Sequence, residues 1–180
     1  RIMSAHAQRS YRVGFHYRCG DQGYRGREAS QSQCVGHGTA RELGECGLSL
    51  FGQPAAQSNG SRSVAFIASD NSISAKQIGH TVHSRAHPLI TPKGCHIDYK
   101  YDTECTIYTI VYWFILSLSD HIVTQFSVDK AGVISPFSSF SRFAATYSLQ
   151  NDIIRYARNC KPLVSNAELY RVTSGNWKCE

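Results

Sequence analysis

The sequence holds no Cys-x-x-Cys pair, no Cys-x2-Cys…His-x3-His spacing and no Cys–His cluster, so nothing in it marks a zinc-finger type of metal site. It has no G-x-S-x-G elbow, no G-x-x-x-x-G-K-[ST] loop and no G-x-G-x-x-G fingerprint, which leaves the hydrolase, P-loop and dinucleotide classes without motif support. No long apolar run is present either. The longest, Thr106 to Leu118, has thirteen residues broken by Thr, Tyr and Ser, and a membrane span needs about 20. Charged residues are scarce at 18% against 42% apolar residues, a balance that excludes a disordered polyelectrolyte. Internal repeats and a dividing linker are also missing. A chain of 180 residues without them reads as one domain, 1–180, with residues 1–18 as a flexible N-terminal arm.

What the sequence does hold begins with seven cysteines: Cys19, Cys34, Cys46, Cys95, Cys105, Cys160 and Cys179. Spread along the chain, they read as a disulfide framework and hence as a secreted protein. An odd count leaves one thiol without an intrachain partner. Local pairs such as Cys34–Cys46 and Cys95–Cys105 are compatible with the spacing, as is a long bridge from Cys19 to Cys160 or Cys179. The chain starts at Arg1 with no apolar signal region and reads as a mature or trimmed form. Asn59-Gly60-Ser61 is a glycosylation sequon in a polar stretch.

Lys and Arg number 19 against 13 acids, a net charge of +6. Between Lys76 and Lys100 one acid, Asp98, faces Lys76, His80, His83, Arg85, His87, Lys93, His96 and Lys100. Such a surface attracts polyanions, RNA among them, or is simply a solvated basic face. His80, His83 and His87 have helical spacing, and on one helix face they would suit Zn²⁺ or Cu²⁺. With no acid or cysteine close by as a further ligand, a plain surface segment is the better expectation, and no cofactor is expected. Tyr99, Tyr101 and Tyr108 lie near basic residues and could stack on bases, although such tyrosines more often serve in packing.

Patterning predicts loops over residues 1–62 around one helix from Thr39 to Cys46, ended by Gly47. Val64 to Ala68 reads as a strand closed by Ser69-Asp70-Asn71. Ser74 to His87 fits helix and strand equally. Thr106 to Leu118, rich in β-branched and aromatic residues, reads as a buried central strand. Ile122 to Val128 reads as the next strand. Asp129-Lys130-Ala131-Gly132 turns it into a hairpin returning at Val133-Ile134, with Pro136 at its end or on an edge. Ser141 to Asn159 has helical spacing, and Ala167 to Val172 is a last short element.

Three features together resemble the fungal guanyl-specific ribonuclease and ribotoxin superfamily. They are Tyr17-Arg18-Cys19-Gly20, the segment Tyr112-Trp113-Phe114-Ile115-Leu116-Ser117, and the hairpin Asp129-Lys130-Ala131-Gly132-Val133-Ile134-Ser135. The resemblance implies an antiparallel sheet and a bridge between Cys19 and a C-terminal cysteine. It also places the catalytic Glu of the family near Trp113, its phosphate-binding Arg near Gln125 or Phe126, and its general-acid His at Ser135-Pro136. Trp, Gln and Pro supply neither base, cation nor acid for RNA cleavage. Only His87 matches a family histidine.

A ribonuclease-like scaffold without its catalytic groups is similar to the secreted effectors of powdery mildews. The expectation is therefore an α+β domain on an antiparallel sheet with one or two helices, disulfide-braced, that is secreted by a fungus and catalytically inactive. It would bind a host plant protein, an immune receptor included, or RNA, and would act outside or inside host cells. Its binding surface is expected at Arg85, His87, Tyr99 and Tyr101. Two other classes stay open. One is an active secreted ribonuclease using the His80–His87 cluster, with His83 or His87 as base and Arg85 on phosphate. The other is a cysteine-rich extracellular structural or adhesion module.

Overall fold

A computed structural model of the chain describes residues 10–19, 38–53, 63–91, 103–128, 130, 134–136, 140–141, 144–145, 154–156 and 160. Within them the chain runs through β1 (Arg12–Tyr17), α1 (Ala40–Phe51), β2 (Ser63–Ser69), α2 (Ser72–Val82), β3 (Ala86–Ile90), α3 (Thr103–Ser117) and β4 (His121–Thr124). Three short strands follow: β5 (Phe126–Val128), β6 (Ile134–Pro136) and β7 (Ile154–Tyr156). Five strands form one sheet in the order β3-β2-β1-β4-β7, and every pairing in it is parallel. Among the described residues, antiparallel pairing is confined to β5 and β6, where Phe126 faces Pro136 and Val128 faces Ile134.

Mixed α and β content is as expected, but the antiparallel sheet is not. Parallel neighbours cannot be joined by a tight turn and need a crossover, usually a helix. That requirement corrects the reading of Thr106 to Leu118. The segment is not a strand but helix α3, the crossover from β3 to β4. Its β-branched and aromatic residues suit a strand locally, and the connection they must make overrides that preference. Ile122 to Val128 is likewise not one strand. It divides at Gln125 into β4 in the parallel sheet and β5 in the hairpin. The expected antiparallel pairing is present between β5 and β6, while 129 and 131–133 lie outside the described residues.

The N-terminal stretch read as a flexible arm contains the central strand. Val13, Phe15 and Tyr17 of β1 point to one face, beside Ala65 and Ile67 of β2 and Val123 of β4. Helices α1 and α2 cover this face with Leu43, Cys46, Leu50, Phe51, Ala75, Ile78 and Val82. The opposite face carries Phe66, Ala68 and Ile122, covered by Leu116 of α3 and by Ala144 and Ala145. Gly14 belongs to this second face. A Cβ there would stand 2.6 Å from Leu116 Cδ2 and 2.8 Å from Ser119 Oγ, so the missing side chain is what lets α3 lie against β1. Asp120 fixes the start of β4 against the start of β1. Its N–H donates to Arg12 O at 2.8 Å, and its Oδ2 accepts from Arg12 N–H at 2.7 Å.

Helix α1 begins where the sequence indicated but does not stop at Gly47. Thr39 caps it in a reciprocal box with Glu42, and it continues to Phe51 with Gly52 as C-cap. Gly47 is interior because α1 passes close over β1: a Cβ there would meet Phe15 Cζ at 2.3 Å. Residues 72–82 resolve the ambiguous segment as helix α2, capped by Asn71, followed by strand β3. The long helix expected over 141–159 is helical at 140–141 and 144–145, whereas Ile154–Tyr156 is strand β7.

Cys46 is joined to Cys160 across 114 residues, which removes both Cys34–Cys46 and Cys19–Cys160 from the alternatives. Cys19 and Cys105 are disulfide-bonded as well. Cys34, Cys95, Cys179, Asn59, and residues 167–172 lie outside the described residues.

Candidate functional site

In an open parallel sheet wound in both directions, the strand ends splay where the order reverses, and ligands bind outside the carboxyl ends at that point. Here the chain moves outward from β1 to β2 and β3, then returns to the other side of β1 as β4. The reversal therefore lies between β1 and β4. The residues just past their ends are Arg18 and Cys19 on one side and Gln125 on the other.

The ends are tied by side chains. Gln125, 1% exposed, accepts the Arg18 N–H through Oε1 at 2.8 Å, and its Nε2 donates to Gly38 O at 3.5 Å. Asp70, past the end of β2, accepts the Cys19 N–H at 2.8 Å. Asn71 accepts the Ser74 N–H at 2.8 Å and so starts α2. Gly38, with φ of 108°, turns the chain into α1 in a backbone conformation that favours glycine.

At this end the two faces of the sheet differ in charge. On the α1/α2 side the Tyr17 phenol is held above its ordinary pKa by burial first, and then by the carboxylates of Asp70 and Glu42, against a lowering contact from Ser74. The N-terminus of α1 is filled from within. Glu42 Oε2 accepts from Thr39 N–H at 2.7 Å and from Thr39 Oγ1 at 3.1 Å. A helix start already holding a carboxylate is a poor seat for a ligand anion.

On the α3 side the charge is positive or absent. His16 lies opposite Thr124 in the β1–β4 register and is buried beside Phe140, with ring centroids 5.0 Å apart. Its pKa is lowered to about 3, by burial first and then by the nearby Arg18 guanidinium, so the imidazole is neutral at physiological pH. Among the described residues its Nδ1 has no hydrogen-bond partner. Thr124 Oγ1 and Ser141 Oγ share a hydrogen bond of 3.3 Å in the same layer. Among the described residues this side thus carries the Arg18 guanidinium, a neutral imidazole and hydroxyls, a set of the kind that suits an anionic group next to a polar, uncharged one.

The residues expected to form a binding surface are elsewhere. Arg85 is exposed in the turn after α2, and His87 is exposed on the edge strand β3, both at the amino end of the sheet. Tyr99 and Tyr101 lie outside the described residues. His80 closes the last turn of α2, His83 caps it and His87 belongs to a strand, so the three do not share a helix face. Among the described residues no group of three or more His, Cys, Asp or Glu is placed to hold a metal ion. No described helix is long and apolar enough to cross a membrane.

Sequence reasoning passed over His16, named Gln125 only as standing near the place of the ribonuclease family's phosphate-binding Arg, and noted Arg18 only within a cysteine motif. The one usable signal was a histidine, an arginine and a cysteine following an apolar pair, and it signifies nothing until β1 is known to be central. No family model, curated protein or solved structure matches the chain.

Proposed function

We propose that this chain is a ligand-binding domain whose crevice between the carboxyl ends of β1 and β4 takes a small anionic ligand of the nucleotide type. The observation that carries this is the reversal of strand order between β1 and β4, with Arg18 at the mouth. Arg18 receives the phosphate. The neutral layer of His16, Thr124 and Ser141 faces the uncharged part of the ligand. The closed, acidic start of α1 directs the anion towards Arg18. Three features support this polarity: the Arg18 charge, the lowered pKa of His16, and the net charge of +6. The disulfides at Cys19, Cys46, Cys105 and Cys160 support folding in an oxidising, secretory compartment.

The inactive ribonuclease-like reading drew on a strand at Tyr112–Leu116. That segment is part of α3. Binding of RNA or of a host protein remains the competing proposal. Thermal unfolding of the oxidised chain with inorganic pyrophosphate and with the four common nucleoside diphosphates tests the choice. We expect the Tm to rise with at least one nucleotide, and Arg18→Ala to abolish the rise. Retention of labelled RNA that is unchanged in Arg18→Ala, with no response to any nucleotide, would transfer the assignment to the polyanion reading.

A further inference from the structure

We infer that Gln125 is the positioning residue of the crevice, holding Arg18 and the turn at Gly38 in ligand-binding geometry; this rests on the reading of the crevice given above. A primary amide that is 1% exposed is uncommon, and it is kept where its hydrogen bonds are needed. Gln125 stands at the residue where the chain leaves β4 for β5, a junction between two sheets. From there its two ends reach two other segments. Oε1 accepts the Arg18 N–H at 2.8 Å, and Nε2 reaches the carbonyl of Gly38 at 3.5 Å.

The amide thus spans the point of reversal, linking the end of β1, the end of β4 and the entry to α1. An apolar side chain of equal length would fill the same volume and leave the Arg18 N–H without its acceptor. A glutamate would keep that acceptor, lose the donor to Gly38 and add a negative charge beside the arginine. The two replacements therefore separate geometry from charge. Because Gln125 orients the backbone of Arg18, its effect belongs to ligand affinity as well as to stability.

The experiment is calorimetric titration of the oxidised full chain with inorganic pyrophosphate at 25 °C, with the Tm of every variant measured alongside. Gln125→Met should weaken pyrophosphate binding by about tenfold, since the Arg18 backbone is then no longer held in place before the ligand arrives. Gln125→Glu should weaken it further, because the added carboxylate repels the anion. Val82→Ala, a buried change at the far end of α2, should lower Tm and leave affinity unchanged, which a purely structural role for Gln125 would also do. Affinity within threefold of wild type in Gln125→Met, with binding lost in Arg18→Ala, would overturn the inference and leave the crevice reading standing. Should Gln125→Met fail to fold, the same threshold applies to Gln125→Glu. Absence of pyrophosphate binding by the wild-type chain would overturn the inference, and absence of a response to every nucleotide as well would overturn both.

Discussion

On one face of the sheet, α1 and α2 bury Val13, Phe15, Ala65, Ile67, Leu43, Leu50, Ile78 and Val82 in a continuous core. On the other, α3 buries Leu116 and Thr109 but exposes Ile107, Ile110, Val111 and Phe114, with Ile107 and Phe114 each 56% exposed. The difference lies in how the helices are built. Helix α1 alternates an apolar side, Leu43, Cys46, Leu50, with polar Arg41, Glu45 and Ser49, so one orientation is strongly preferred. Helix α3 is apolar around most of its circumference and carries no charge after Glu104, so hydrophobic burial alone selects no face. Its orientation is set by contact, Leu116 meeting the space above Gly14. A face that orients itself by pattern is robust to single surface changes. One that orients by fit depends on the fitting residues.

The largest effect is expected at the tie between α1 and Cys160, beyond β7. Replacing Cys46 and Cys160 together by Ser should cost about 5 kcal/mol on the chain-entropy account, since the bridge closes 114 residues. Equilibrium unfolding in urea measures this. Phe15→Ala removes the ring on which α1 rests, and should cost about 3–4 kcal/mol by the same assay.

Acid should act through His16, between β1 and the second face. Its folded pKa is depressed to about 3 from 6.5, so between those values the unfolded chain holds a proton that the folded chain lacks. Stability is therefore full above pH 6.5 and falls as pH drops through that window, by about 1.4 kcal/mol per unit, or about 2 kcal/mol at pH 5. His16→Asn should flatten the slope between pH 5 and 7. An equally steep slope in that variant would assign the acid sensitivity to other groups.

The smallest effect is expected on the exposed side of α3. Phe114→Ser should change stability by no more than about 0.5 kcal/mol in urea unfolding. A loss as large as that of Phe15→Ala would mean that the two faces are equally packed.

The sequence made part of this fold legible. Ser63–Ser69 and the hairpin near Asp129–Gly132 were readable because their pattern and turn chemistry are local. The start of α1 was readable because Thr39 and Glu42 form a capping box within four residues. Strand β1 was not. It has one β-branched residue, Val13, with Gly14 and His16 between its apolar positions, and it becomes a strand by pairing with β2 and β4, remote in the chain. The candidate site was unreadable for the same reason. Arg18 and Gln125 are 107 residues apart and meet only when β4 returns beside β1.

By itself, then, the sequence determined what depends on near neighbours: helix caps, the hairpin, an apolar balance sufficient for a core, and a cationic surface. The tertiary structure alone decided strand direction, the role of α3 as a crossover and the placing of Arg18 against Gln125. Parallel pairing joins segments far apart in the chain, and the energy that favours it resides in contacts no local window contains.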